Sequence, residues 1–112
     1  LQGMLFMIHG ISHGIGLEVH DPSQHSVYGA YAPGDVFTIE PGIYINAHVL
    51  DMLPDTPKNR AFIAAAGETS QRYHEIGVRI EDNYLVTEDG VERLSDAPRE
   101  VEEIEAVMGG RR

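Results

Sequence analysis

Three short segments of the chain hold most of the side chains that could do chemistry. Residues 9–21 are HGISHGIGLEVHD, residues 37–45 are FTIEPGIYI and residues 77–83 are GVRIEDN. The candidate ligands in them are three histidines, followed by one glutamate in each later segment: His9, His13, His20, Glu40 and Glu81. Imidazole nitrogen and carboxylate oxygen are ligands for the divalent metals that activate water. The segments therefore indicate a hydrolytic metal site that has too few carboxylates to be complete.

Glu40 and Glu81 carry more of this interpretation than any single histidine. Each lies in a run of β-branched residues, where a buried carboxylate needs a partner. Simpler interpretations stay open, because Glu40 shares a strand face with Thr38 and could point to solvent. Glu81 could form a salt bridge with Arg79, and a histidine such as His13 is more often a core residue than a ligand. On spacing alone, metal binding is only slightly favoured.

The elements that must position these side chains are short strands. Alternation and β-branched composition predict strands at 15–20, 36–40, 43–45, 77–81, 83–87 and 91–94. Pro41 interrupts the second run and implies an edge position or a bulge beside Glu40.

Two helices complete the predicted elements. A short helix is expected at 57–66, beginning at Pro57 and ending at Gly67. Another helix, of roughly ten residues, is expected with Pro98 near its first turn and the glycines at 109–110 at its end. Hairpin-like connections between these elements favour an α+β fold over a doubly wound parallel sheet.

Composition excludes several classes of function. A formal net charge of −10 offers no basic patch for nucleic acid or for an anionic membrane surface. The chain contains no cysteine, which rules out disulfides and thiolate zinc sites and is compatible with the expected cytoplasmic location. The apolar start at 1–8 lacks an initiator methionine and a signal-peptide pattern, so we expect the chain to be part of a longer protein.

The order of the motifs HGISHGIGLEVHD, EPGIY and RIEDNYLVT resembles the creatinase-like, "pita-bread" metallopeptidases of family M24. Within that family the resemblance is greatest to Xaa-Pro aminopeptidases (aminopeptidase P) and prolidases. It implies that residues 1–112 are a partial catalytic domain, the C-terminal half, with the upstream half absent. The implied fold is a mainly antiparallel curved sheet with a C-terminal helix.

The resemblance also implies a dinuclear metal centre. Two divalent ions are expected, with manganese first and zinc or cobalt as alternatives. By motif position, His13, Glu40 and Glu81 match three of the five family ligands. Glu40 would also act as general base towards the attacking water, and Glu81 would bridge the two ions. The other two ligands are aspartates that precede the histidine segment in the family, so they would lie upstream of this chain.

Four further residues match substrate-binding or supporting positions of the family. His20 would contact the scissile carbonyl, and His9 would lie towards the proline side of the scissile bond. Tyr44 and Arg79 match a hydrogen-bonded network behind the metals. These four, together with Glu40, are the expected catalytic residues.

The implied activity is release of the N-terminal residue from peptides that have proline in second position. The alternatives are a prolidase, which cleaves Xaa-Pro dipeptides, a non-catalytic binding module with the same fold, and a stand-alone metal-binding protein. The expected partner is a proline-containing peptide, with homo-oligomers formed by the intact protein. The isolated 112 residues are expected to be inactive.

Overall fold

The structure is a computed structural model, which describes residues 2–22 and 28–110. Its strands are β1 (Val36–Ile39), β2 (Gly42–Ile45), β3 (Ile76–Arg79), β4 (Asp82–Val86) and β5 (Val91–Arg93). Its α-helices are α1 (Pro57–Arg72) and α2 (Val101–Met108), and short 3-10 helices cover Gln2–Leu5 and Ala47–Leu50. The chain divides into two compact units, Leu1–His9 with Pro41–Arg79 and Gly10–Glu40 with Ile80–Arg112. Each unit is described by itself below.

The unit formed by Gly10–Glu40 and Ile80–Arg112 contains an antiparallel sheet in the order β1-β4-β5. The segment 11–15 continues this sheet beyond β1, because backbone hydrogen bonds join it to that strand. Thr38 N donates to His13 O at 2.9 Å, and Glu40 N donates to Ile11 O at 2.8 Å. β1 therefore lies between 11–15 and β4, with a neighbour on each side.

The core of this unit lies on one face of β1. Phe37 is buried, and its ring stacks against Tyr31 at 4.5 Å and against Tyr84 at 5.8 Å between centroids. Aromatic pairs at these separations contribute packing energy beyond the area that they bury. Because side chains alternate along a strand, Thr38 and Glu40 point to the opposite face.

The other unit contains the antiparallel pair β2–β3, with Tyr44 opposite Gly77. Thr56 caps the N-terminus of α1, since its side chain accepts a hydrogen bond from Asn59 N at 3.2 Å. The buried residues nearby are small or aliphatic, namely Ala47, Leu50 and Ser70 of the 3-10 helix and α1.

The α+β class and the antiparallel sheets agree with the prediction from sequence, but the strand expected at 15–20 is wrong. Gly14 N donates to Asp21 O at 3.0 Å, which closes the intervening residues into a loop. Asp21 Oδ1 also accepts from Glu18 N at 3.1 Å. Leu17 is fully exposed, so the alternation of apolar and polar residues there does not reflect a buried face.

The predicted end of the first helix at Gly67 is also wrong, because α1 continues to Arg72. A glycine inside a helix costs about 1 kcal/mol relative to alanine, which weakens a helix without necessarily ending it. Residues 68–72 (ETSQR) supply enough helix formers, and the cap at Thr56 fixes the start. Among the described residues, neither this helix nor any other has the length and apolarity to cross a membrane.

Substitution Gly67→Ala should stabilise the protein by ~1 kcal/mol, because a Cβ at this position meets no atom within 4 Å. The matched control is Gly34→Ala, which also has open space but a φ of +97°. There the left-handed backbone should make alanine destabilising by ~1–2 kcal/mol. Urea unfolding of both variants measures the two free-energy changes, and equal effects at both positions would contradict the helical assignment of Gly67.

Candidate metal centre

The register of β1 and β4 places the two candidate carboxylates side by side. Ile39 pairs with Asp82 as the last antiparallel pair, so Glu40 and Glu81 are the next residues on the two strands. Both side chains leave the sheet on the face opposite Phe37, following the alternation of each strand. The strand pairing alone thus brings together two residues that are 41 positions apart in the sequence.

His13 approaches the same place from the other neighbour of β1. Its backbone carbonyl accepts from Thr38 N at 2.9 Å, and its backbone N–H donates to Thr38 Oγ1 at 3.0 Å. Thr38 is almost completely buried, with 1 % of its surface exposed. This threonine therefore holds His13 through both its main chain and its side chain.

The imidazole of His13 faces the carboxylates with its Nε2 atom. Nε2 lies 3.4 Å from Glu40 Oε1 and 3.7 Å from Glu81 Oε1. The other ring nitrogen, Nδ1, is 2.9 Å from Gly14 O. Because a carbonyl oxygen only accepts, Nδ1 is the protonated donor, and in the neutral ring Nε2 keeps its lone pair.

The three side chains lie close enough together to contact one divalent cation. One donor atom from each of His13, Glu40 and Glu81 lies within 4.8 Å of the others. Nitrogen and carboxylate ligands suit zinc and manganese alike, and the hydrogen bond from Nδ1 to Gly14 is the kind of support that orients a metal-ligating histidine. Within residues 2–22 and 28–110, this is the one cluster of three such groups.

The two glutamates differ in how far their side chains are buried. The side chain of Glu40 is 9 % exposed, so the interpretation that it points to solvent is wrong. The side chain of Glu81 is 42 % exposed. A cavity of about 360 Å³ lies over this face and is lined in part by His13, Thr38 and Glu81. The cavity gives a small ligand access to the more exposed side of the cluster.

His20 lies beside the cluster, in the loop closed by Gly14 and Asp21. Its ring meets that of His13 edge to face, with 4.5 Å between centroids. His20 is exposed, so its ring nitrogens can reach a molecule in the neighbouring solvent. The structure therefore groups His20 with His13, Glu40 and Glu81 in one unit.

The remaining predicted residues, His9, Tyr44 and Arg79, form a hydrogen-bonded group in the other unit. Arg79 Nε donates to the Tyr44 hydroxyl at 2.6 Å, and His9 Nε2 is 2.9 Å from the same oxygen. Since the hydroxyl oxygen accepts from arginine, its own proton can be donated to His9 Nε2. Tyr44 therefore links the other two side chains.

Gly42 makes this linkage sterically possible. A Cβ atom at this position would lie 2.8 Å from Tyr44 ring and hydroxyl atoms and 2.9 Å from His9 Nε2. Only glycine leaves room for both side chains. The glycine of the EPGIY motif thus has a packing role that the sequence did not reveal.

Sequence reasoning missed the contribution of Thr38. The sequence placed Thr38 on the same strand face as Glu40. The contact between its hydroxyl group and the backbone of His13, however, depends on the pairing of 11–15 with β1. The predicted strand at 15–20 placed the pairing segment too far along the chain. One indication of this role was present in the sequence, because Thr38 lies two residues before the candidate ligand Glu40 and therefore on the same strand face.

Comparison with known proteins agrees with the motifs. The profile of metallopeptidase family M24 matches residues 2–88, and the chain belongs to this family. Xaa-Pro dipeptidase of Rattus norvegicus is 41 % identical over 124 residues, covering 96 % of this chain and 25 % of the rat protein. A probable Xaa-Pro aminopeptidase of Fusarium vanettenii is 35 % identical over 117 residues, covering 92 % of this chain and 25 % of the fungal protein.

Solved structures show the same fold. Zinc-substituted Escherichia coli aminopeptidase P in complex with product has a TM-score of 0.67 and 34 % identity, covering 99 % of this chain and 22 % of that one. Proline aminopeptidase P II from Yersinia pestis has a TM-score of 0.66 and 32 % identity, covering 95 % and 21 %. The chain spans about a quarter of the length of the curated relatives that it matches.

Substitution Gly42→Ala should separate His9 from Tyr44, because the added methyl group occupies the space between them. Overpacking of this kind costs ~1–3 kcal/mol. We expect the imidazole resonances of His9 to shift in NMR spectra and the unfolding midpoint to fall. Gly67→Ala, which meets open space, is the control and should leave those resonances in place. Unchanged His9 resonances in the Gly42 variant would contradict the contact.

Proposed function

We propose that the protein to which this chain contributes is a metal-dependent exopeptidase acting on the bond between an N-terminal residue and proline. The observation that carries this proposal is the convergence of His13 Nε2 with one oxygen each of Glu40 and Glu81. Membership of family M24 and the names of the relatives supply the substrate class. The chain would form part of the catalytic domain.

His13, Glu40 and Glu81 would hold the metal, and the resemblance implies two divalent ions, with manganese expected first. When bound, such ions act as Lewis acids that activate water and polarise a carbonyl. The two adjacent carboxylates support this assignment, because like charges at neighbouring strand positions repel unless a cation lies between them. The two aspartate ligands implied by the resemblance would come from residues that precede this chain.

The chain's own residues would supply proton transfer and orientation. A Glu40 carboxylate oxygen would accept the proton of the attacking water, acting as general base. His20 would donate a hydrogen bond to the scissile carbonyl oxygen, where negative charge develops. His9, oriented by Tyr44 and Arg79, would contact the proline side of the substrate, and its link to Tyr44 fixes the ring.

The two candidate functions differ in the length of the peptide that is cleaved. An aminopeptidase would release the first residue from longer peptides, whereas a prolidase would cleave only the dipeptide. The 41 % identity to the rat dipeptidase favours the prolidase, and the match to aminopeptidase P structures at 34 % favours the aminopeptidase. The aminopeptidase is the first candidate, as the resemblance of the motifs implies, and the prolidase is the alternative.

Substitution Glu40→Gln in the full-length protein should lower kcat by ~10²–10⁴, the usual contribution of a general base. Glutamine keeps the volume of the side chain and removes its proton-accepting charge. Glu68→Gln, on the exposed surface of α1, is the matched control and should keep full activity. Hydrolysis of an Xaa-Pro substrate with added Mn²⁺ measures both variants. Full activity in the Glu40 variant would contradict the general-base role of Glu40, and the absence of hydrolysis by the unaltered full-length protein would contradict the peptidase assignment.

A substrate series tests the choice between the two candidates. The full-length protein, loaded with Mn²⁺, should cleave Xaa-Pro-Yaa tripeptides and longer peptides if it is an aminopeptidase, and Xaa-Pro dipeptides alone if it is a prolidase. Liquid chromatography of the products gives kcat/KM for each length. Peptides with alanine in second position are the negative control, and their equal cleavage would contradict proline specificity.

A further inference from the structure

Asp82 is a buried carboxylate that the proposed chemistry does not use. Asp82 is 4 % exposed, and both of its carboxylate oxygens accept hydrogen bonds from residues that follow β5 in the chain. Arg99 Nη1 donates to Oδ2 at 2.6 Å, and Ser95 Oγ donates to Oδ1 at 3.0 Å. Arg93 Nη1 lies 3.7 Å from Oδ1. A buried charge is tolerated only with such partners, so this contact fixes the position of Asp82.

The Ser95 hydroxyl is itself held in one orientation. Asn83 N donates to Ser95 Oγ at 2.7 Å, so the hydroxyl oxygen accepts from the strand while its proton points to Asp82. Leu94 N also donates to Asn83 O at 2.8 Å. The segment after β5 is therefore attached to two consecutive residues at the start of β4.

Glu81 immediately precedes this attachment. Asp82 points to the face opposite Glu81, because neighbouring side chains on a strand alternate. The side chain of Glu81 is 42 % exposed, compared with 9 % for Glu40. Few contacts can thus hold Glu81 from its own side, and its position depends on the backbone that Asp82 anchors.

We propose that Asp82, Ser95 and Arg99 form a clamp that positions Glu81 for metal binding. The clamp is the set of these three side chains. Each of them acts through the backbone of Glu81, so they are positioning residues. This inference rests on the proposed function, since it requires Glu81 to bind a metal.

The charge of Arg99 allows the geometric effect to be separated from an electrostatic one. Removal of a positive charge near the cluster makes the surroundings more negative, which by itself strengthens the binding of a cation. Weaker binding after loss of Arg99 would therefore report displacement of Glu81. Electrostatics and geometry predict opposite signs for the same substitution.

The test is calorimetric titration of the metal-free, full-length protein with Mn²⁺. Arg99→Gln should raise the Kd roughly 10- to 100-fold, the range found when an outer partner of a metal ligand is lost. Ser95→Ala, which changes no charge, should raise the Kd in the same direction. Arg60→Gln removes the same charge from an exposed ion pair with Asp55 and is the matched control, with an unchanged Kd.

Thermal unfolding of the same metal-free variants separates positioning from simple structural support. A purely structural role would lower the unfolding midpoint of Arg99→Gln and leave its Kd at the original value, which would overturn the clamp. If Arg99→Gln does not fold, Ser95→Ala alone decides between the two. Glu81→Gln is the reference: if it weakens binding while the clamp variants do not, the clamp fails and the metal site stands. If Glu81→Gln leaves the Kd unchanged, the metal site fails, and the clamp with it.

Discussion

The antiparallel register between β1 and β4 is the constraint on which the candidate metal centre depends. It sets Glu40 and Glu81 at neighbouring positions on one face, directly after the last pair, Ile39 with Asp82. Two carboxylates at such positions repel each other, so the arrangement needs a positive partner. His13 supplies the third group because the segment 11–15 pairs with the other side of β1. A shift of one residue in either pairing would turn a ligand to the opposite face.

Much of this arrangement was accessible from the sequence. The β-branched run at 36–40 predicted β1, and the strands predicted at 83–87 and 91–94 correspond to the antiparallel pair β4 and β5. The three candidate ligands followed from the order of the motifs. The strands could be predicted because they depend on local composition and on alternating side chains, whereas the ligand set is what the family resemblance implies.

The parts that could not be predicted depend on contacts between distant residues. Residues 15–20 have the alternation of a strand, but the backbone bond from Gly14 to Asp21 makes them a loop. Gly67 has the character of a helix end, yet α1 passes through it. The partners of Asp82, Ser95 and Arg99, lie 13 and 17 residues further along the chain. No local pattern indicates which serine and arginine will reach a buried carboxylate.

The family profile ends before the two residues that form hydrogen bonds with Asp82. The profile stops at residue 88, which lies after all three donor residues but before Ser95 and Arg99. A polypeptide that ended there would retain every donor atom, while Asp82 would lose the hydroxyl and the guanidinium that compensate its burial. A piece that keeps both of these contacts of Asp82 therefore extends at least to residue 99. A domain boundary drawn at the end of the profile would omit β5 and the segment that carries Ser95 and Arg99.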